Sequence, residues 1–223
     1  MDDYYDLGAY ERAITTSSPQ AQRWFDRGLN WLYGFNHTEA IACFGKALES
    51  DPDCAMAHWG ISYAAGPNYN LPWVLYDPAG KAQALRESYD AMQRALAVAA
   101  NATPVEQALI RALQARYPQR DTIEDQAPWD KAFTAEMRKL FHAWPDDLEV
   151  RSVFAEAIMN EIPWQMWDLR TGRATEGAGT EEAVEVLESA LRDLPASWDH
   201  PGLLHLYIHL MEMSPFPQRA LRA

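Results

Sequence analysis

One run of residues, 21–54, constrains what this chain can fold into more than any other. It has the spacing W-x3-G-x2-W followed by A-x3-F-x2-A-x4-P, beginning at Trp24 and ending at Pro52. The small residues Gly28 and Ala40 allow two helices to approach closely, the aromatic residues fill the space beside them, and the proline stops the second helix. The run therefore predicts a pair of antiparallel helices.

The second half of this spacing recurs far downstream. Between Ala183 and Pro195 the chain again has a small residue, an apolar residue, a small residue and a proline at the same intervals, with Leu187 in the place of Phe44. Recurrence of one helical unit along a chain is typical of repeat architectures. The sequence therefore predicts an array of helical hairpins whose middle copies are degenerate.

The spacing resembles the 34-residue tetratricopeptide repeat (TPR), W-x2-L-G-x2-Y…A-x3-F…P, with Arg27 in the place of the leucine and Trp31 in the place of the tyrosine. The resemblance implies an all-α fold: a right-handed α-α superhelix, or TPR-like solenoid, of about four and a half helical hairpins. Residues 1–19 are predicted to form an N-terminal lead-in and residues 20–223 the repeat domain, which is expected to end in mid-repeat.

Three phrases of the sequence extend the resemblance to a group of longer, uncharacterised bacterial TPR-domain proteins. They are NWLYGFNHTEAIACF, CAMAHWGISYAAGPNYN and HPGLLHLYIHLMEMSP. The usual role that the family implies is protein–protein interaction.

Composition excludes several classes of function. The net charge of −13 argues against nucleic acid and against anionic membrane surfaces as partners, because both require basic side chains. No run of apolar residues is long enough for a membrane span, and the acidic N-terminus has no apolar stretch typical of a signal peptide. Two cysteines do not make a disulfide framework. We therefore expect a cytoplasmic protein.

Two long insertions, 66–80 and 161–179, interrupt the helical periodicity and carry aromatic residues with polar neighbours. In repeat proteins such loops often lie over the binding face. One interpretation is a lid over the concave groove, and the alternative is that the loops fill gaps between irregular repeats. The predicted ligand-binding residues are Asn68, Tyr69, Asn70, Trp73, Trp164 and Trp167.

The last predicted helix carries the pattern His205-x3-His209-x2-Glu212, which places all three side chains within one narrow sector of the helix. Imidazole and carboxylate ligands suit a divalent transition metal such as Zn, Fe, Cu or Mn, and His58 on an earlier helix is a fourth candidate ligand. The alternative is a polar lining of the groove with ordinary hydrogen bonds.

Three functions follow from these patterns. The leading hypothesis is a binding or scaffold module that recognises a protein or a small ligand in its concave groove. The second is a metal-binding protein or metal-dependent enzyme that uses the histidine-bearing helix. The third is a homodimer formed through the unfinished C-terminal repeat.

Overall fold

A computed structural model describes residues 4–122 and 124–223. This part of the chain is mostly helical, and its only sheet is a hairpin of two-residue strands, β1 (Trp167–Asp168) and β2 (Arg173–Ala174). Its α-helices are α1 (Pro19–Tyr33), α2 (His37–Ser50), α3 (Ala55–Ala65), α4 (Pro78–Val98), α5 (Pro104–Arg116), α6 (Ala127–Ala143), α7 (Leu148–Glu161), α8 (Thr180–Asp193) and α9 (Pro201–Glu212).

Local sequence signals set several of the helix ends. The Ser18 side chain accepts a hydrogen bond from Ala21 N at the start of α1, with a proline at the first helical position. At the start of α5, Thr103 and Glu106 form a capping box in which each side chain bonds the other residue's backbone. These two helices therefore begin where their cap residues can satisfy free N–H groups of the first turn.

Small residues mark the closest approach of the first three helices. The Phe44 ring of α2 is completely buried between α1 and α3. A Cβ atom added at Gly28 of α1 would lie 2.4 Å from this ring, and one added at Gly60 of α3 would lie 2.7 Å from it. Glycine at both positions therefore allows the aromatic side chain to fill the space between the three helices.

Consecutive helices pack as neighbours, and the odd-numbered helices also contact one another. Helix α3 contacts α1 and α5, α9 contacts α7, and α9 also reaches back to α1. The Tyr63 hydroxyl of α3 donates a 2.5 Å hydrogen bond to Glu156 of α7. The odd-numbered helices therefore surround a common interior, in which the first and the last helix are in contact.

The segment before α1 is an integral part of the packing. Residues 4–18 are not helical, and they cross the N-terminal ends of other helices. Arg12 pairs with Asp147 and Glu149 at the start of α7, and Thr15 donates two hydrogen bonds, of 2.7 and 2.6 Å, to Glu106 at the start of α5. Residues 4–18 therefore form a strap across the N-terminal ends of α5 and α7.

The two predicted insertions separate the helices of a pair, α3 from α4 and α7 from α8. The first is shorter than predicted, because Asp77 caps α4 and the helix begins at Pro78 rather than after residue 80. It contains a 3₁₀ turn, Trp73–Leu75, and the second insertion contains the β1–β2 hairpin. Among the described residues, no helix has the length and apolar character needed to cross a membrane.

Candidate functional site: aromatic rings around a histidine pair

The three polar residues of α9 form a continuous chain of contacts. His205 Nδ1 lies 2.6 Å from the backbone oxygen of Tyr33, at the end of α1. The Nε2 atoms of His205 and His209 are 3.0 Å apart, and His209 Nδ1 lies 2.9 Å from Glu212 Oε1. Both imidazoles are partly exposed. The helical spacing therefore brings the two rings together edge to edge, as the sequence pattern predicts.

Phe35 packs against both imidazoles. Its ring centroid lies 4.4 Å from that of His205 and 5.6 Å from that of His209, and the Phe35 and His209 rings are almost parallel. Phe35 follows α1 in a Schellman motif, in which Phe35 N bonds Leu32 O and Asn36 N bonds Trp31 O. Glycine is usual at this position, but here a phenylalanine takes the left-handed conformation, with φ of 58°.

The two insertions supply the other rings. The Tyr69 ring lies 5.3 Å from His209, and the Trp164 ring lies 5.9 Å from Tyr69. Trp164 also has a φ of 58°, and its backbone N–H donates to the Tyr69 hydroxyl over 3.3 Å. We call this group, Phe35, Tyr69, Trp164, His205 and His209, the ring site. It lies beyond the C-terminal ends of α1, α3 and α7, against the part of α9 that carries the two histidines.

Burial changes the protonation of two members of the ring site. It lowers the pKa of His205, and this effect outweighs the hydrogen bond to Tyr33 O, which raises the pKa. His205 is therefore a neutral imidazole at pH 7. Burial also raises the pKa of Tyr69 to about 12, so this side chain keeps its proton and can donate a hydrogen bond.

A third imidazole contacts Phe35. The His37 ring is stacked 5.7 Å from the phenylalanine ring, and its Nδ1 lies 3.1 Å from Phe35 O. Burial lowers the pKa of His37. Phe35 is therefore in contact with three histidines that come from two distant parts of the chain.

The remaining predicted ligand-binding residues support the loops. Asn68 Oδ1 accepts hydrogen bonds of 3.0 Å from the backbone N–H groups of Asn70 and Leu71, and the Asn70 side chain is exposed. Trp73 is buried against Tyr76. Trp167 lies beside the ring site, where its Nε1 donates to Leu210 O over 2.7 Å and holds the second insertion on α9.

His58, the fourth predicted metal ligand, lies away from the ring site and contacts a different part of the chain. Its Nε2 lies 3.0 Å from Pro52 O, in the turn before α3. It belongs to the first turn of α3, whereas the ring site adjoins the other end of that helix, a separation of about 10 Å along the axis. Glu212 contacts His209 on its Nδ1 edge, away from the Nε2 atom that faces His205.

The sequence analysis missed Phe35 and the carbonyl oxygen of Tyr33. Both follow from the turn at the end of α1, where Gly34 breaks the helix and Phe35 comes next. A phenylalanine in place of the usual left-handed glycine leaves no signal in helical periodicity. Only the position immediately after the helix-ending glycine indicates that this ring is held in a fixed direction.

No group of three or more His, Cys, Asp and Glu side chains within residues 4–122 and 124–223 is arranged to hold a metal ion. Comparison of the chain with family models, with curated proteins and with solved structures finds no match. The function is therefore argued from the geometry of the ring site.

Proposed function

We propose that this chain is a TPR-type helical-repeat module that binds a small ligand at the ring site. The observation that carries the proposal is the backbone of Phe35 and Trp164. Among the described residues, these are the only two non-glycine residues with a positive φ, and both belong to the ring site. Such conformations cost roughly 1–3 kcal/mol each and cluster at ligand-binding sites, where the surrounding structure imposes them.

The repeat assignment is supported by the packing of the residues that carry the pattern. Gly28 and Phe44 occupy the small and the aromatic positions of the tetratricopeptide spacing, and they are in contact where α1 meets α2. Helices that alternate in hairpins, with the odd-numbered set on the inside, suit the α-α repeat array that this family implies, and the contact of α9 with α1 departs from an open superhelix, in which each repeat contacts only its neighbours. In such an array the ring site lies at one end of the inner helices.

A small ligand fits this arrangement better than an extended peptide. The contact between α1 and α9, and the Tyr63–Glu156 hydrogen bond between α3 and α7, cross the inner face where a peptide groove would run. The ring site offers aromatic faces, imidazole nitrogens and the carboxylate of Glu212, whose side chain is 45% exposed. We therefore expect neutral or cationic heteroaromatic ligands rather than carboxylates.

A fragment screen by ligand-observed NMR tests the proposal. We expect neutral and cationic heteroaromatic fragments to bind the wild-type protein and carboxylate fragments of equal size to bind less. The substitution Trp164→Ala should weaken the binding of these fragments at least tenfold, because it removes one aromatic face of the ring site. The matched control is Trp144→Ala, which removes a half-buried tryptophan beyond the end of α6 and should leave binding unchanged.

Two results would contradict the proposal. One is a set of hits that bind the wild-type protein and the Trp164→Ala protein equally. The other is a screen in which no fragment binds the folded wild-type protein at millimolar concentration. The fold of each variant is checked by its circular dichroism spectrum and thermal transition.

A further inference from the structure

The hydrogen bonds of the histidine pair fix the tautomers of both rings. His205 Nδ1 contacts a backbone carbonyl oxygen, and His209 Nδ1 contacts a carboxylate oxygen. Both partners only accept hydrogen bonds, so each Nδ1 atom carries a proton. When both rings are neutral, the two Nε2 atoms are therefore both unprotonated, and they lie 3.0 Å apart.

Two unprotonated nitrogens at this distance repel each other unless a positive centre lies within reach of both, either a proton that makes an N–H···N hydrogen bond or a metal ion. From this geometry we infer that His205 Nε2 and His209 Nε2 together bind one divalent transition-metal ion. The inference rests on the proposed function, since the ion is the ligand of the ring site or the group through which a small molecule binds there. A bound metal also explains why the Nδ1 atoms of both histidines have hydrogen-bond acceptors, which is the usual arrangement around metal-binding histidines.

The distance between the two nitrogens allows one metal ion to bind both of them. Two metal–nitrogen bonds of about 2.05 Å to atoms 3.0 Å apart meet at the metal at about 94°. This angle is close to the right angle between neighbouring ligands in tetragonal Cu²⁺ and Ni²⁺ complexes, and it is narrower than the tetrahedral angle that Zn²⁺ prefers in proteins. Cu²⁺ also binds nitrogen ligands most tightly in the divalent series. From this order of affinity we expect the site to favour Cu²⁺ over Zn²⁺.

The surroundings hold the rings in the orientation that a metal requires. The backbone of α1 positions His205, Glu212 positions His209, and Phe35 lies against both imidazoles. Glu212 is thus a positioning residue and not a ligand, in contrast to the three-ligand set predicted from the spacing. With two protein ligands, the other coordination positions are open to water or to a small molecule.

Isothermal titration of the protein, prepared without a histidine tag and treated with EDTA, tests the inference. We expect one Cu²⁺ to bind per chain, Ni²⁺ and then Zn²⁺ to bind more weakly, and Mg²⁺ not to bind. The double substitution His205→Ala/His209→Ala should weaken Cu²⁺ binding at least a hundredfold, and Glu212→Gln about tenfold. His142→Ala, which removes an exposed histidine on α6, is the control and should change nothing.

Electron spin-echo spectroscopy of the Cu²⁺ complex gives a second measurement that does not depend on the variants. We expect modulation from the remote nitrogens of two equatorial imidazoles. A spectrum with one imidazole or none, or equal Cu²⁺ affinity of the wild-type and the double-histidine proteins, overturns the inference.

The fragment screen separates the two proposals. Trp164→Ala leaves both histidines in place and should retain Cu²⁺ binding while it loses heteroaromatic fragments. A wild-type protein that binds fragments but not Cu²⁺ would contradict the metal site alone. A protein that binds Cu²⁺ but no fragment would contradict the proposed small-molecule function and leave the metal site standing.

Discussion

Glu149 is a buried carboxylate at the start of α7 that pairs with the strap. It is 2% exposed and accepts hydrogen bonds from Tyr10 and Arg12, and His200 Nε2 lies 3.2 Å from its Oε1 atom. Burial alone would raise the pKa of Glu149, but the hydrogen bond of His200 and the charge of Arg12 outweigh it and lower the pKa from 4.5 to about 2. The folded state therefore favours the ionised carboxylate.

We expect Glu149→Gln to lower the free energy of unfolding by roughly 2–4 kcal/mol at pH 7, because it leaves Arg12 buried without its full counter-charge. The depressed pKa contributes stability that is complete above about pH 5 and is lost as the pH falls from 4.5 towards 2. The difference in free energy of unfolding between the wild-type and the Glu149→Gln proteins should therefore narrow over that range. Urea unfolding at pH 7, 5 and 3.5 measures it.

Glu182→Gln is the matched control for this charge removal. Glu182 pairs with Arg138 through two oxygens, but both side chains are more than one third exposed. Exposed ion pairs contribute about 0–1 kcal/mol, so we expect a small effect at pH 7. Equal losses in the two variants would contradict the role assigned to burial at Glu149.

At the scale of the element, the contact of α1, α2 and α3 depends on a glycine that the repeat spacing singles out. A methyl group at Gly28 would meet the Phe44 ring at 2.4 Å, and the ring is fully buried. We expect Gly28→Ala to lower the free energy of unfolding by roughly 1–3 kcal/mol, despite the higher helix propensity of alanine, because overpacking forces the ring or the helix to move. Thermal unfolding measures the change.

Gly45, the residue directly after Phe44, offers the matched control for Gly28→Ala. A Cβ atom there meets nothing within 4 Å, and the residue lies in the middle of α2. Gly45→Ala should therefore raise the stability by about 0.5–1 kcal/mol, as alanine does in an open helix position. A stabilising effect at Gly28 as well would contradict the close approach of α1 and α2.

The elements were more predictable than the site that joins them. Caps such as Ser18 and Thr103, and the spacing of Gly28 and Phe44, act within one helix or between neighbours, so the sequence contains their signals. The His205–His209 contact also follows from helical spacing. The contact of that pair with Phe35 depends on how α9 meets α1. The distance between the pair and His58 depends on how α9 lies relative to α3, and no local pattern encodes either arrangement.

At the scale of the whole molecule, the strap and the ring site lie at opposite ends of α7. The strap contacts the N-terminal ends of α5 and α7, and the Tyr10 ring lies 4.6 Å from His200 at the start of α9. The ring site forms beyond the C-terminal ends of α1 and α7, where Phe35 and Trp164 follow those helices, and on α9. Helix α7 therefore connects the two regions. Tyr33, at the end of α1, joins α9, because its ring lies 5.0 Å from that of His200 and its backbone oxygen lies 2.6 Å from His205 Nδ1.

This closure predicts that α1 and α9 unfold together. In an open repeat array each unit contacts only its neighbours, and the terminal units fray independently. Here we expect hydrogen exchange, followed by mass spectrometry, to give α1 and α9 similar protection. Arg12→Ala should lower the protection of both helices by a similar factor, because Arg12 holds Glu149, which pairs with His200 at the start of α9. Arg120→Ala breaks an exposed pair with Asp90 and is the control. Faster exchange confined to residues 4–33 in Arg12→Ala would show that the ends of the molecule are energetically independent, in conflict with the contact between α1 and α9.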